Sequence, residues 1–301
     1  MTPNSMHPKK EPKYLEDITC TIAPDPLSDK DDLFTSSRFL GVYDEKQIMR
    51  MLEKVGMIEI LYKRGYRNLV ITVSKQDNYT SRLYVNYDSP EKETRLIELI
   101  IREGVFRPKE DFVEGFDFSD GLSMLLVEWL ALQDPKASYT SSKPRLPGQV
   151  YPGLGGLKNI QAMLYSFGKN MSKDAIIDIP EYYHAAVIYS RMYSEIYSRM
   201  YSFFSPVDAG MLQAMIRDLY EKPLAMVSSA IAFDCLLDAD TGEKAHWSPS
   251  EQIFPVSKRL KAYVTHNQYH AIVKRMISEL RFTIDWDRYD SLTKQGITDE
   301  I

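Results

Sequence analysis

Residues 122–132 read Leu-Ser-Met-Leu-Leu-Val-Glu-Trp-Leu-Ala-Leu, the most apolar window of the chain, bounded by Gly121 and by Asp134-Pro135. A near-continuous apolar run with turn residues at both ends predicts a strand buried in the middle of a sheet, since both of its faces must be covered. Upstream, residues 68–74 (NLVITVS) and 81–87 (SRLYVNY) are β-branched or aromatic runs separated by the turn-like Gln76-Asp77-Asn78, which predicts a hairpin. Residues 94–106 (TRLIELIIREGVF) fit a third strand, with a short helix as the alternative. Before the hairpin, Ile48, Met51, Leu52, Val55 and Ile58 recur at helical spacing and Ile60, Leu61 and Tyr62 carry the pattern to Gly65, so one or two helices are expected.

Downstream of the apolar run, residues 136–156 are rich in Ser, Pro and Gly and end in LPGQVYPGLGG, a loop. Residues 157–168 then carry Leu157, Ile160, Met163 and Leu164 at helical spacing, and residues 174–179 (DAIIDI) predict a short strand stopped by Pro180. Residues 188–203 hold a tandem duplication, IYSRMYSE followed by IYSRMYSF. On a helix a period of four drifts about 40° per step, so its tyrosine and apolar stripes wind slowly round the axis. Continuity with residues 181–187 and the lack of Gly or Pro predict one long helix. A further amphipathic helix is expected over 208–220, a strand, turn and strand over 228–247, and helix again over 257–280. Helices and strands alternate throughout, which predicts an α/β fold: a mixed central sheet flanked by helices, with a C-terminal α+β extension. The expected division is a disordered tail at 1–33, an α/β domain at 34–206 and an extension at 207–301 packed on it.

The chain has 301 residues, enough to bury a sizeable core. Its net charge of −5 comes from interspersed acids and bases, so no basic field draws it to nucleic acid or anionic lipid. The two cysteines, Cys20 and Cys235, are too few for a disulfide framework, and a reducing cytoplasm fits. The first thirty residues hold five prolines and no apolar run of signal-peptide length, and no later run approaches a membrane span.

The run from the apolar strand through the glycine loop into a helix carries the chemistry. A glycine-rich turn delivered to a helix N-terminus gathers free backbone N–H groups around one point, which suits a pyrophosphate. Neither a Gly-Lys-Ser/Thr P-loop nor a Gly-x-Gly-x-x-Gly dinucleotide fingerprint is present. His266 and His270 lie four apart on an expected helix, but Asn267 stands where a hydrolytic zinc motif needs glutamate, and a structural His pair is the plainer reading. Asp285, Asp287 and Asp290 lack the glycine and final glutamate of a calcium loop.

In the order of its elements the chain resembles the GNAT-type acyl-CoA N-acyltransferases over roughly residues 34–206. Helices precede a hairpin, followed by a long strand, a glycine turn, a helix, a strand and a second helix closed by aromatic residues. Residues 128–132 (EWLAL) look like the strand that receives the pantetheine arm, and residues 152–156 (PGLGG) like the pyrophosphate loop. Ala185 and Tyr189 match the family's Ala-x-x-x-Tyr spacing, with Phe203-Phe204 as its closing aromatic pair. Two departures stand out: Val150 occupies the place of the family's Gln or Arg, with Gln149 one position early, and the duplication makes Tyr197 as eligible as Tyr189.

What the resemblance implies is acetyl-CoA or another acyl-CoA as cofactor, bound through Leu130, Leu132, Gln149, Gly153, Leu154, Gly155 and Gly156. Glu128 would be the base, its carboxyl raised by burial in an apolar strand, and Tyr189 or Tyr197 the acid. The alternatives are a Glu128 that meets solvent or an arginine, and tyrosines that simply pack. The expected partner is a small-molecule or peptide amine, with neither nucleic acid nor membrane. The other function considered is a non-catalytic binding or assembly protein on the same scaffold, where a solvent-facing Tyr/Met stripe over 188–203 would serve a homo-oligomer.

Overall fold

The computed structural model describes residues 20–23, 38–191 and 201–295. Asp44 opens α1 (Glu45–Lys54) with a capping box, its side chain accepting from the Gln47 N–H while the Gln47 side chain accepts from the Asp44 N–H. Gly56, in left-handed conformation, turns the chain into α2 (Met57–Lys63). The expected hairpin forms as β2 (Leu69–Lys75) and β3 (Thr80–Tyr87), closed by the Asp77 carboxylate accepting from the N–H groups of Tyr79 and Thr80. Residues 95–108 settle as strand, not helix: β4 (Arg95–Pro108) pairs antiparallel with β3 and with β5 (Leu122–Leu132).

β5 then pairs in parallel with β6 (Ala175–Asp178), reached through α3 (Leu157–Asn170) as a strand–helix–strand crossover. After α4 (Tyr183–Ser190) come β7 (Ser202–Phe203), α5 (Pro206–Asp218), α6 (Leu224–Ala232), β8 (Leu236–Asp238) and β9 (Gln252–Pro255). The chain ends with α7 (Lys258–Val264), α8 (Asn267–Glu279), β10 (Phe282–Ile284) and α9 (Trp286–Lys294). The main sheet runs β2-β3-β4-β5-β6-β9-β7, and β8 and β10 form a separate pair. It is a mixed α/β sheet, antiparallel everywhere except at β5–β6.

The sheet separates two apolar cores, and alternation along β5 assigns its residues to each. Leu125 and Val127 join Leu83, Leu99 and Ile101 beneath α1, α2 and α3, packed on Leu52, Leu61, Ile160 and Leu164. Met124 and Leu126 face the other way, toward Ala186, Leu212, Val227 and Tyr263 of α4–α7. Each set follows the period-two geometry of a strand covered on both sides.

Four expectations are corrected. Residues 20–23, assigned to the tail, form β1 (Cys20–Ala23), which pairs with the far end of β4; a four-residue strand is too short to show a period. The long helix over 181–203 does not form as one piece: α4 ends at Ser190 and Ser202–Phe203 is strand, paired with β9. The strand expected from residue 228 is the end of α6, whose SSAIA run is apolar without alternation and follows Pro223 at the N-cap. Its expected partner strand at 243–247 is reduced to a single bridge, Leu237 with Lys244, because β8 pairs with β10.

Candidate functional site

The glycine turn is stitched onto the end of β5. Leu154 N–H donates to the Leu132 carbonyl at 3.0 Å and Asp134 N–H to the Pro152 carbonyl at 2.8 Å, with a bridge between Gln133 and Gly153. Gly155 and Gly156 both have positive φ, 83° and 78°, and lead directly into α3. Among the described residues the N–H groups of Gly155, Gly156, Leu157 and Lys158 find no acceptor, as the first turn of an uncapped helix leaves them.

The three glycines do different work. A Cβ on Gly156 would lie 2.6 Å from Met57 Sδ, so that glycine lets α3 dock on α2. A Cβ on Gly155 would sit 3.7 Å from Arg64 Nη2, and one on Gly153 would meet only the Leu132 carbonyl at 4.0 Å. Arg64, just past α2, therefore holds its guanidinium beside the exposed Gly155. It is anchored there by Asp134, which accepts from Arg64 Nη1 at 2.7 Å and from the Tyr66 hydroxyl. Burial alone would raise the Asp134 carboxyl, but the bonds from Tyr66 and Arg64 outweigh it and hold it below the usual range. Lys136 adds a second cation, over the Tyr66 and Tyr87 rings. Sequence reasoning missed Arg64, Tyr66 and Asp134, because some seventy residues separate the ends of this triad and no local pattern links them.

The expectations for β5 divide at Val127. Its first half is buried, but pairing with β6 ends at Val127–Asp178 and β5 runs on to Leu132 without it. Glu128 is the extra residue of a β-bulge, since Ile101 pairs with Val127 and Ile100 with Trp129. The bulge turns Glu128 to the surface, where it accepts from Arg102 Nε at 2.5 Å. Glu128 is therefore an exposed, arginine-paired side chain and not the buried residue expected of an apolar strand. Leu130 and Leu132 pack partly buried on the α1–α3 side. Gln149 is engaged in its own turn, its Oε1 accepting from the Leu146 N–H.

Where β5 and β6 part, a polar cluster lies buried. Asp178 ends β6, close to the Tyr189 hydroxyl of α4. Burial pushes the Asp178 carboxyl up to about 7, more strongly than the bonds from Tyr189 and the Ile179 N–H pull it down. Tyr189 is raised well above the usual phenol range, by burial first and then by the Asp178 charge. The Tyr201 ring lies 5.1 Å from that of Tyr189, and the Tyr201 hydroxyl accepts from Gln161 Nε2 at 2.5 Å. Gln252 is the register partner of Asp178 on β9 and shares its face. Tyr197 lies outside the described residues. Of the sequence candidates only Tyr189 falls in this cluster. Asp178, Gln161, Tyr201 and Gln252 had no signal beyond being polar residues in apolar runs.

His266 caps α8 by accepting from the Gln268 N–H, and Asp285 caps α9 in the same way. Among the described residues no three His, Cys, Asp or Glu side chains are grouped to hold a metal ion. His184, buried in α4, has its Nδ1 2.8 Å from Ser228 Oγ, and burial lowers its imidazole to about 4. No described helix is long and apolar enough to cross a membrane. Two surface depressions follow the outer sides of α1 and α2, past Met49, Glu53 and Tyr62, and neither is bounded by the glycine turn. Compared with known proteins, the chain matches no family model, no curated protein and no solved structure.

Proposed function

We propose that the chain is a GNAT-like N-acyltransferase that binds an acyl-CoA at the glycine turn and acylates a small-molecule or peptide amine. The observation that carries this reading is the Arg64 guanidinium, fixed by Asp134 beside Gly155 at the open N-terminus of α3. A cation, exposed glycine backbone and several unpaired N–H groups around one point suit a pyrophosphate. The order of elements supports it too: hairpin, long strand, glycine turn, helix, parallel strand, then a helix bearing Ala185 and Tyr189.

When bound, acyl-CoA supplies the thioester carbonyl that the amine attacks. Arg64 and the N–H groups of residues 155–158 hold the diphosphate, and β5 beyond Val127 offers backbone along which the pantetheine can lie. Tyr189 supplies a proton at its phenolic oxygen. Glu128 can accept the amine proton only after releasing Arg102. That ion pair favours a second reading, a non-catalytic protein that keeps the scaffold and the cofactor site.

Calorimetric titration with acetyl-CoA and with free CoA tests both. Micromolar binding is expected, weakened about tenfold or more by Arg64→Ala, the loss of one charge-assisted contact. Gly153→Val should weaken it as well, with the fold intact, because Gly153 lies outside the positive-φ region and its Cβ meets only the Leu132 carbonyl at 4.0 Å. Absence of binding at millimolar ligand would sink the assignment; binding without turnover across an amine screen would select the second reading.

A further inference from the structure

β2 forms one edge of the main sheet and β7 the other, and the two edges differ. β7 is two residues long, whereas β2 has seven. Edge strands in native proteins are usually short, bulged, or interrupted by proline or charge. Residues 69–74 of β2 (LVITVS) have none of these features, and the pairing with β3 runs without a register shift. Which backbone groups lie open follows from the hairpin. The Gln76 N–H donates to the Thr80 carbonyl and the Asp88 N–H to the Asn68 carbonyl, so the even-numbered residues of β2 bond to β3. Leu69, Ile71, Val73 and Lys75 therefore aim N–H and C=O outward, and among the described residues nothing receives them.

We propose that β2 pairs with β2 of a second copy of the chain across a two-fold axis at Thr72, running one continuous sheet through a homodimer. Antiparallel pairing about that axis sets Leu69 against the second copy's Lys75 and Ile71 against its Val73. All four outward residues of each chain then exchange hydrogen bonds. Moving the axis to Ile71 or Val73 leaves an end of β2 unpaired. Just beyond the strand, the same register places the exposed Arg67 opposite the second copy's Asp77, and nowhere between residues 67 and 77 do like charges face each other. Ile71 and Val73 belong to the core beneath α1, so Thr72 points to the other face, where it meets its own copy. The depression along the outer side of α1 is lined by Glu45, Lys46, Met49, Arg50, Glu53 and Ile71, so a gap remains between that helix and the edge strand. Two acids and two bases around Met49 leave this outer face with no net charge to repel its own copy. A strand from another protein would need only the open backbone; the two-fold match of outward groups and charges favours a second copy. The pairing is independent of what the glycine turn binds.

The test is the oligomeric state of the full chain, by sedimentation velocity at about 20 µM, where an interface of ordinary size is occupied. A particle of twice the 34.8 kDa chain is expected, and a monomer would overturn the proposal. Thr72 meets itself in a non-hydrogen-bonded pair with Cα atoms about 4.5 Å apart, within disulfide reach. Thr72→Cys should therefore give a covalent dimer on mild oxidation, and Ser74→Cys, whose copies would lie about 14 Å apart, should not. Thr72→Glu and Thr72→Lys should each weaken dimerisation about a hundredfold or more, by like-charge contact at the axis. Mixing those two variants should restore a dimer holding one chain of each, which misfolded chains would not do. A dimer that Thr72→Glu leaves intact, or that Thr72→Cys fails to cross-link, would place the interface elsewhere and overturn the pairing.

Discussion

Asp178 and His184 are buried groups whose protonation is shifted in opposite ways, and both bear on stability. Asp178 titrates near 7 in the folded chain and about 3.9 unfolded, so the folded chain keeps a proton the unfolded chain has lost. Its contribution is present below the unfolded value and is lost as pH rises toward 7. His184 runs the other way: with its value depressed to about 4, its contribution is present above about 6.5 and lost as pH falls. In the wild type the two slopes oppose each other between pH 4 and 6.5. Asp178→Asn removes one of them, so its urea-unfolding free energy should rise with pH across that window. At pH 8 it should exceed the wild type by on the order of a few kcal/mol. Parallel pH profiles for the two proteins would show that Asp178 does not titrate as described. Asp134 and Asp174 add an acid limb, because burial would raise each but hydrogen bonds outweigh it, from Tyr66 and Arg64 in one case and from Ser257 and Arg259 in the other. That support disappears as pH falls through their lowered values.

Among elements, α5 and α8 approach each other at a point that a single residue decides. Ser205 caps α5 and Pro206 begins it, so its start is legible in sequence. Gly210 is a different matter. Alanine at an ordinary helical position is favoured over glycine by about 1 kcal/mol. Here the added Cβ would lie 2.5 Å from Met276 Cβ and 2.9 Å from the Val273 carbonyl of α8. Overpacking against backbone costs about 1–3 kcal/mol, so Gly210→Ala should destabilise the protein by roughly that amount despite its better propensity. A rise in denaturation midpoint would mean that the two helices separate freely. β5 shows the same limit of local pattern, since its eleven residues read as one predominantly apolar run yet the bulge at Glu128 divides them into a buried half and a more open half.

For the whole molecule the decisive feature is β9, which comes from beyond residue 206 yet lies between β6 and β7 in the main sheet. A chain ending at residue 206 would leave the inner edge of β6 unpaired and strip the cover of α5–α7 from the core around Met124 and Leu126. It should therefore lose cooperative unfolding, as read by near-ultraviolet circular dichroism in urea; a sharp transition in that fragment would show that residues 34–206 stand alone. The helices α1–α3, the hairpin, β5 and β6 were legible in the sequence because each carries its own period, cap or turn within a few residues. So was the glycine turn, whose residues are contiguous. Three things were not legible: the insertion of β9, the fate of the duplicated segment at Ser202–Phe203, and the surface position of Glu128. Local pattern by itself determined which segments coil, extend or turn, since those preferences arise between near neighbours in the chain. Only the tertiary structure decided that Arg64 stands beside Gly155 and that Asp178 is sealed in with Tyr189, because burial and charge pairing depend on residues brought together from distant parts of the sequence.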